Sequence, residues 1–160
     1  MTEGLGFLVF VFIVVLAAEA VNGWTDAPNA VATVVSTRTL RPMVAVGMAA
    51  VLNLVGALSG TAVAKTIGSG IVDIDLLTAE GTGLQIVAAA ALAVVIWSTT
   101  AWYFGLPTSE SHGLVSGVAG AAVAEAGTDV LKREGWEKVF PGVGAAVVFG
   151  FLGAFLIMIL

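Results

Sequence analysis

Residues 22–40 read NGWTDAPNAVATVVSTRTL and follow directly on an apolar run, so polar and helix-breaking residues stand where hydrocarbon-compatible sequence would otherwise continue. Taken as a helix, Glu19, Asn22, Asp26, Asn29, Thr33 and Ser36 recur every three or four residues and share one face. Pro28 lies within that stripe. It has no N–H, and its ring crowds the preceding turn, which leaves the carbonyl of Trp24 without its helical donor. The spacing therefore predicts a helix that breaks at Pro28. Inside a bilayer such a break is tolerated only where the freed backbone groups are buried in protein or face a polar cavity, so the stretch reads as the wall of a binding site.

Composition makes the bilayer the relevant solvent. Of the 160 residues, 59% are hydrophobic and 11% charged, and the mean hydropathy is +1.06, too apolar for a soluble domain of this size. The expected class is an all-α polytopic membrane protein, with residues 1–160 forming a single membrane domain surrounded by lipid. The basic residues Arg38, Arg41, Lys65, Lys132, Arg133 and Lys138 fall between apolar runs or at their ends, as the cost of burying charge in hydrocarbon requires. The net charge of −5 therefore belongs to the connections. No basic patch exists for nucleic acid, and that class is set aside. The absence of cysteine excludes disulfides and thiolate metal sites. Near the N-terminus stands Glu3 and no basic residue, so the first apolar run is expected to remain as a membrane helix rather than act as a cleaved leader.

Taken in order, residues 4–21 form a first span close to the minimum length for a hydrocarbon core about 30 Å thick. Glu19 near its end either sits at the interface, snorkelling or protonated, or acts as a proton-linked group beside Asp26. Arg41 and Pro42 mark a boundary, and residues 43–64 form a second span with a Gly56-x-x-x-Gly60 spacing that permits close helix approach. Asn53, its one strongly polar interior group, is read as bonding a neighbouring helix. Residues 65–83, with Asp73, Asp75 and Glu80, are read as an external loop carrying a surface helix or extended piece. Residues 84–104 form a third span, whose Trp97, Trp102 and Tyr103 suit an interfacial aromatic belt.

Residues 105–127, GLPTSESHGLVSGVAGAAVAEAG, are the second unusual stretch. Pro107 suits the first turn of a helix, Thr108, Ser109 and Ser111 are cap formers, and Gly113, Gly117 and Gly120 allow backbones to approach. The pattern predicts a helix that starts inside the membrane, presenting free N–H groups and the positive end of its dipole to an anion. Residues 128–140 are read as a polar loop or short amphipathic helix, and residues 141–160 as a last span. Were residues 105–127 re-entrant, Arg38, Arg41, Lys132, Arg133 and Lys138 would share one side against Lys65, placing that side in the cytoplasm; a full crossing would weaken and reverse this bias.

Asp26, Asn29, Thr33, Thr108, Ser109, Glu110, Ser111 and His112 make a polar, mostly oxygen-bearing set, and no basic residue lies inside a clear span. An anion must then be held by hydroxyls such as those of Thr108, Ser109 and Ser111, by amides and by helix N-termini. The negative charge of Asp26 and Glu110 must be offset by cations or protons, which implies ion coupling. A hard cation such as Na⁺ suits carboxylate, amide and hydroxyl oxygens; no other metal and no organic cofactor is expected. His112 is either a hydrogen-bonded imidazole against a neighbouring helix or a proton-linked group. A serine hydrolase built on His112 and Ser116, one turn apart, is disfavoured because the GLVSG of residues 113–117 does not match the G-x-S-x-G elbow. No enzyme is expected.

Together the two stretches resemble the inorganic phosphate transporter (PiT) family. Its G-x-N-D-x-A-N-A signature is matched at Gly23, Asp26, Asn29 and Ala30, and its proline, serine and histidine motif at Pro107, Ser109 and His112. Thr25 and Pro28 depart from the signature, Glu110 and Ser111 stand where many members have Thr, and Asn53 stands where many animal members have Glu. The resemblance implies that Asp26 and Asn29 contact cations and phosphate. It further implies that Ser109 and Ser111 hold phosphate oxygens with adjacent N–H groups, that Glu110 is a proton or cation site, and that coupling is to Na⁺ or H⁺. Family members carry each motif twice in halves of inverted topology; residues 1–160 hold one copy and resemble the N-terminal half. The expected architecture is thus about five transmembrane helices with broken or re-entrant segments, half of a secondary transporter moving phosphate across the cytoplasmic membrane. Its partner would be a separate second half, an antiparallel copy of itself, or a C-terminal half beyond residue 160. Sulfate carriage and a non-transporting membrane subunit that scaffolds a partner are the alternatives.

Overall fold

A computed structural model describes residues 2–60, 70–73 and 82–159, with side chains from Gly4 onward. Among them are five helices: α1 (Thr2–Ser36), α2 (Pro42–Ser59), α3 (Gly83–Tyr103), α4 (Glu110–Ala126) and α5 (Arg133–Ile159), with a 3₁₀ turn at Thr128–Val130. Four of these described helices are long and apolar enough to cross a membrane, the exception being α4. The chain is an all-α, multi-pass membrane protein. The end of the second span (residues 61–64) and most of the expected 65–83 loop, including Asp75 and Glu80, lie outside the described residues.

Two sequence expectations give way to continuous helix. α1 runs through Pro28 without interruption, and α5 runs through Pro141 from the charged segment that was expected to form a separate loop or short helix. The reason is the same in both: a proline inside a helix removes one bond, to the carbonyl four residues back, while the flanking turns keep theirs. In a membrane the remaining bonds have no water to compete with them. Thirty-five residues at 1.5 Å each make α1 about 50 Å long, more than a hydrocarbon core about 30 Å thick. It ends where Arg38 takes φ 58, with Leu40 N donating to Val34 O at 3.2 Å. Arg41 is extended and Pro42 opens α2 at a position where a missing N–H costs nothing.

The helix that organises the bundle is α3. Its buried residues are Ile86, Ala88, Ala90, Ala91, Val94, Ser98 and Ala101, mostly small, and it packs against both α1 and α4. Trp24 of α1 meets Trp102 of α3 edge to face, with ring centroids 5.8 Å apart. α4 returns antiparallel along α3: a Cβ on Gly113 would lie 3.6 Å from Val94, and one on Gly117 3.2 Å from the carbonyl of Ala90. At 17 residues α4 is about 25 Å long. It reaches back to the level of Ile86, where Ile71, Val72, Ile86, Ala122 and Val130 form a buried cluster. There an isolated antiparallel bridge joins Val72 to Leu131, made by Asp73 N to Val130 O (2.8 Å) and Lys132 N to Ile71 O (3.0 Å). Gly135, at the start of α5, lies so close under the carbonyl of Gly70 that no side chain fits between them. Beyond that point α5 exposes Phe149, Phe151, Ile157 and Met158, an apolar surface suited to lipid or to another membrane helix.

Candidate functional site

The α3–α4 connection is a backbone break written by its residues. Gly105 takes φ +68; Gly105 N donates to Trp102 O (2.9 Å) and Leu106 N to Ala101 O (2.8 Å), the paired bonds of a glycine-terminated helix. Pro107 follows and cannot continue it. Ser109, in an extended conformation, caps α4 by accepting from His112 N at 3.4 Å. The next N–H groups, those of Glu110 and Ser111, have no intrahelical acceptor, as at any helix start. The helix expected to open in this stretch thus starts at Glu110, behind the Ser109 cap.

This helix start faces α1 and α2 across a cleft of about 700 Å³. Glu19, Asn22, Gly23, Asp26, Ala27 and Ala30 of α1, Asn53 and its neighbours on α2, and Ser109, Glu110 and Ser111 at the head of α4 line it. Two motifs separated by some 80 residues of sequence thus meet at one place. Glu19, Asp26 and Glu110 line the cleft, and among the described residues no Lys or Arg does. Glu110 interacts with the charges of both other carboxylates and with Ser98 of α3. Among the described residues no three His, Cys, Asp or Glu side chains come near enough together to hold a metal ion.

Of the residues singled out from sequence, Glu19, Asp26, Ser109, Glu110 and Ser111 share the cleft. Asn29 does not line it and is exposed. The unbroken helix explains why: three residues on from Asp26 is a rotation of about 60° short of a full turn, whereas four residues on, at Ala30, is within about 40°. Thr108 and His112 line a second cleft, of about 540 Å³, with Trp97, Pro107, Ser116 and the Ser109 that both clefts share. His112 is exposed there rather than buried against a helix. Ser116 Oγ donates to the backbone carbonyl of His112, one turn back in its own helix, so the hydroxyl serves α4 and not the imidazole. Two cleft residues were underweighted from sequence. Asn22 was visible only as part of the stripe, and Asn53, read as a helix-bonding amide, lines the cleft instead.

Residues 22–160 match the phosphate transporter family. The chain belongs to that family. Its relatives include a probable low-affinity inorganic phosphate transporter of Bacillus subtilis (strain 168), 39% identical over 149 residues that cover 93% of this chain and 44% of the relative. A protein of the same description from Streptomyces halstedii is 46% identical over 124 residues, 78% of this chain and 57% of the relative. The low-affinity inorganic phosphate transporter PitA of Escherichia coli (strain K12) is 41% identical over 145 residues, 87% of this chain and 29% of the relative. The chain therefore spans about half, or less, of the length of these relatives. No solved structure matches it. The kinship suggested by Gly23, Asp26, Asn29, Pro107, Ser109 and His112 is thereby confirmed. These relatives are described as transporters, and the family together with the apolar helices makes the chain a multi-pass protein of the cell membrane.

Proposed function

We propose that this chain carries inorganic phosphate across the cell membrane as one half of a secondary transporter driven by Na⁺ or H⁺. The observation that supports it best is the convergence of Asp26 with Ser109, Glu110 and Ser111 in a single cleft. The head of α4 offers phosphate what an anion needs: hydroxyls of Ser109 and Ser111, two unbonded backbone N–H groups and the positive end of the helix dipole. The opposite wall is acidic. Phosphate entering beside Glu19, Asp26 and Glu110 would meet repulsion that an effective dielectric near 20 leaves at about 4 kcal/mol per unit charge at 4 Å. Cations or protons must therefore bind before or with it, and this order is what couples the two. Asn22 and Asn53 add neutral amide oxygens to the same wall. The other half would be a separate chain, an antiparallel copy, or a continuation of this one; the bare apolar surface of α5 is a face it could cover.

The reading is tested by ³²P-phosphate uptake into liposomes reconstituted with the chain, alone and with a candidate second half, under separately imposed inward Na⁺ and H⁺ gradients. Uptake driven by one gradient and competed by unlabelled phosphate, but not by sulfate, is the expected result. Inserted, folded protein that takes up no phosphate in either setting would overturn it, and competition by sulfate would reassign the anion.

A further inference from the structure

The connection between α1 and α2, residues 37–41, carries two arginines with no acid to balance them. Between Asp26 and Asp73 the sequence holds no Asp or Glu, and among the described residues the side-chain ion pairs are Lys132 with Asp73 and Arg133 with Glu137. Arg38 and Arg41 are exposed and, among those residues, have no ionic partner. The turn that carries them is fixed by its own bonds. Thr37 Oγ1 donates to Thr33 O at 2.8 Å and lies 2.9 Å from Thr39 Oγ1. Arg38 stands at φ 58, a left-handed conformation that glycine adopts freely and a residue with a Cβ does not. The turn keeps an arginine where a glycine would cost less strain.

We propose that Arg38 and Arg41 bind the phosphodiester headgroup of an anionic phospholipid, whose acyl chains lie along the exposed apolar side of α2. The length of α2 sets the depth. Eighteen residues at 1.5 Å each make it about 27 Å long, close to a hydrocarbon core about 30 Å thick, so Arg41, immediately before Pro42, falls at headgroup level. Below it α2 presents apolar side chains outward from Met43, 83% exposed, to Leu58, 79% exposed; of its described residues only Ala45 is buried. Charge and shape then agree. A guanidinium forks two N–H groups onto the oxygens of one phosphate, and basic side chains at this level are drawn to the negative surface of anionic lipid. A phospholipid brings phosphate and hydrocarbon in one molecule, whereas a membrane helix packed in the same place would need an acid of its own against the arginines. The site lies outside the cleft and is independent of how the chain moves phosphate.

The test is native mass spectrometry of the detergent-purified full chain titrated with phosphatidylglycerol or with zwitterionic phosphatidylcholine. Wild type is expected to bind its first phosphatidylglycerol at least about tenfold more tightly than phosphatidylcholine. Arg38→Gln and Arg41→Gln are each expected to weaken phosphatidylglycerol about fivefold, the scale of one basic residue at an anionic surface, and together to bring it to the level of phosphatidylcholine. Lys138→Gln, the same loss of charge elsewhere on the chain, is expected to change neither lipid. A wild type without the preference overturns the site, and so does a double variant that keeps it or a Lys138→Gln that loses as much, which would trace the effect to net charge alone. Should Arg38→Gln disturb the left-handed turn, seen as an earlier thermal transition, Arg41→Gln decides, because its backbone is extended: undiminished phosphatidylglycerol affinity there sinks the proposal. Displacement of the bound lipid by excess inorganic phosphate, but not by chloride of equal ionic strength, would reassign the arginines to the free anion and overturn the lipid site.

Discussion

The two polar stretches that meet in the cleft are built by opposite means. In α1 the helix is never interrupted: Pro28 removes one backbone bond, and the polar groups α1 brings to the cleft are side chains, the carboxylates of Glu19 and Asp26 and the amide of Asn22. Between α3 and α4 the helix stops. Gly105 at φ +68 turns the chain, Pro107 prevents its resumption and Ser109 caps the new helix, so the cleft receives backbone donors as well. On the proposed reading, one wall would supply acceptors for a cation and the other donors for an anion. The contrast also shows that a proline is not in itself a break: the break needs a residue that can adopt the left-handed turn before it and a cap after it.

Substitutions can break this contrast, and the largest effect is expected at the acceptor wall. Asp26→Asn keeps the shape of the side chain but removes its charge, and it should abolish ³²P-phosphate uptake while leaving membrane insertion and size-exclusion behaviour unchanged; undiminished uptake would remove Asp26 from the ion or phosphate site. Next comes the turn itself. A β-branched residue at Gly105 is strained by its positive φ whatever the space around it, and Gly105→Val should destabilise the α3–α4 hairpin by about 2 kcal/mol, seen as an earlier thermal transition by circular dichroism. The cap is worth less: its bond to His112 N is long, at 3.4 Å, and Ser109→Ala should cost about 0.5–1 kcal/mol, with a larger loss in phosphate affinity if the hydroxyl also binds the anion. The smallest effect, and the one of opposite sign, is expected at Pro28. Because α1 is already continuous there, Pro28→Ala restores the bond to the Trp24 carbonyl and should raise stability, by no more than about 1 kcal/mol given how well membrane helices absorb proline. A marked destabilisation would mean that the proline shapes α1 in a way the backbone does not display.

Much of this architecture is legible along the chain. The apolar runs locate the helices because each must satisfy its backbone internally and meet lipid with apolar side chains, and the Gly105, Pro107 and Ser109 series marks the break between α3 and α4 because all its determinants are local. The misreadings share a cause. Pro28 suggests a break by the bond it removes and the last span is expected to begin at Pro141, while helix continuity depends on the neighbouring bonds that a proline leaves intact. Asn29 was grouped with Asp26 by its place in a polar series, but an unbroken helix turns it about 60° away. Asn53 was read as a packing amide because one sequence does not say which helix a span will face.

By itself, the sequence determined that this protein is helical and membrane-embedded, that it carries two phosphate-transporter motifs, and that one of them opens a helix with a glycine turn and a serine cap. These follow from solvent, local backbone geometry and residue type. Only the tertiary structure decided that α3 is the central helix, that α4 folds back along it through Gly113 and Gly117, that Asn53 lines the cleft, and that Ser98 is buried in α3 on the side that meets Glu110. Those facts depend on which small faces of several apolar helices find one another, and in a bilayer, where every helix is already greasy, hydrophobicity does not make that choice: close packing does.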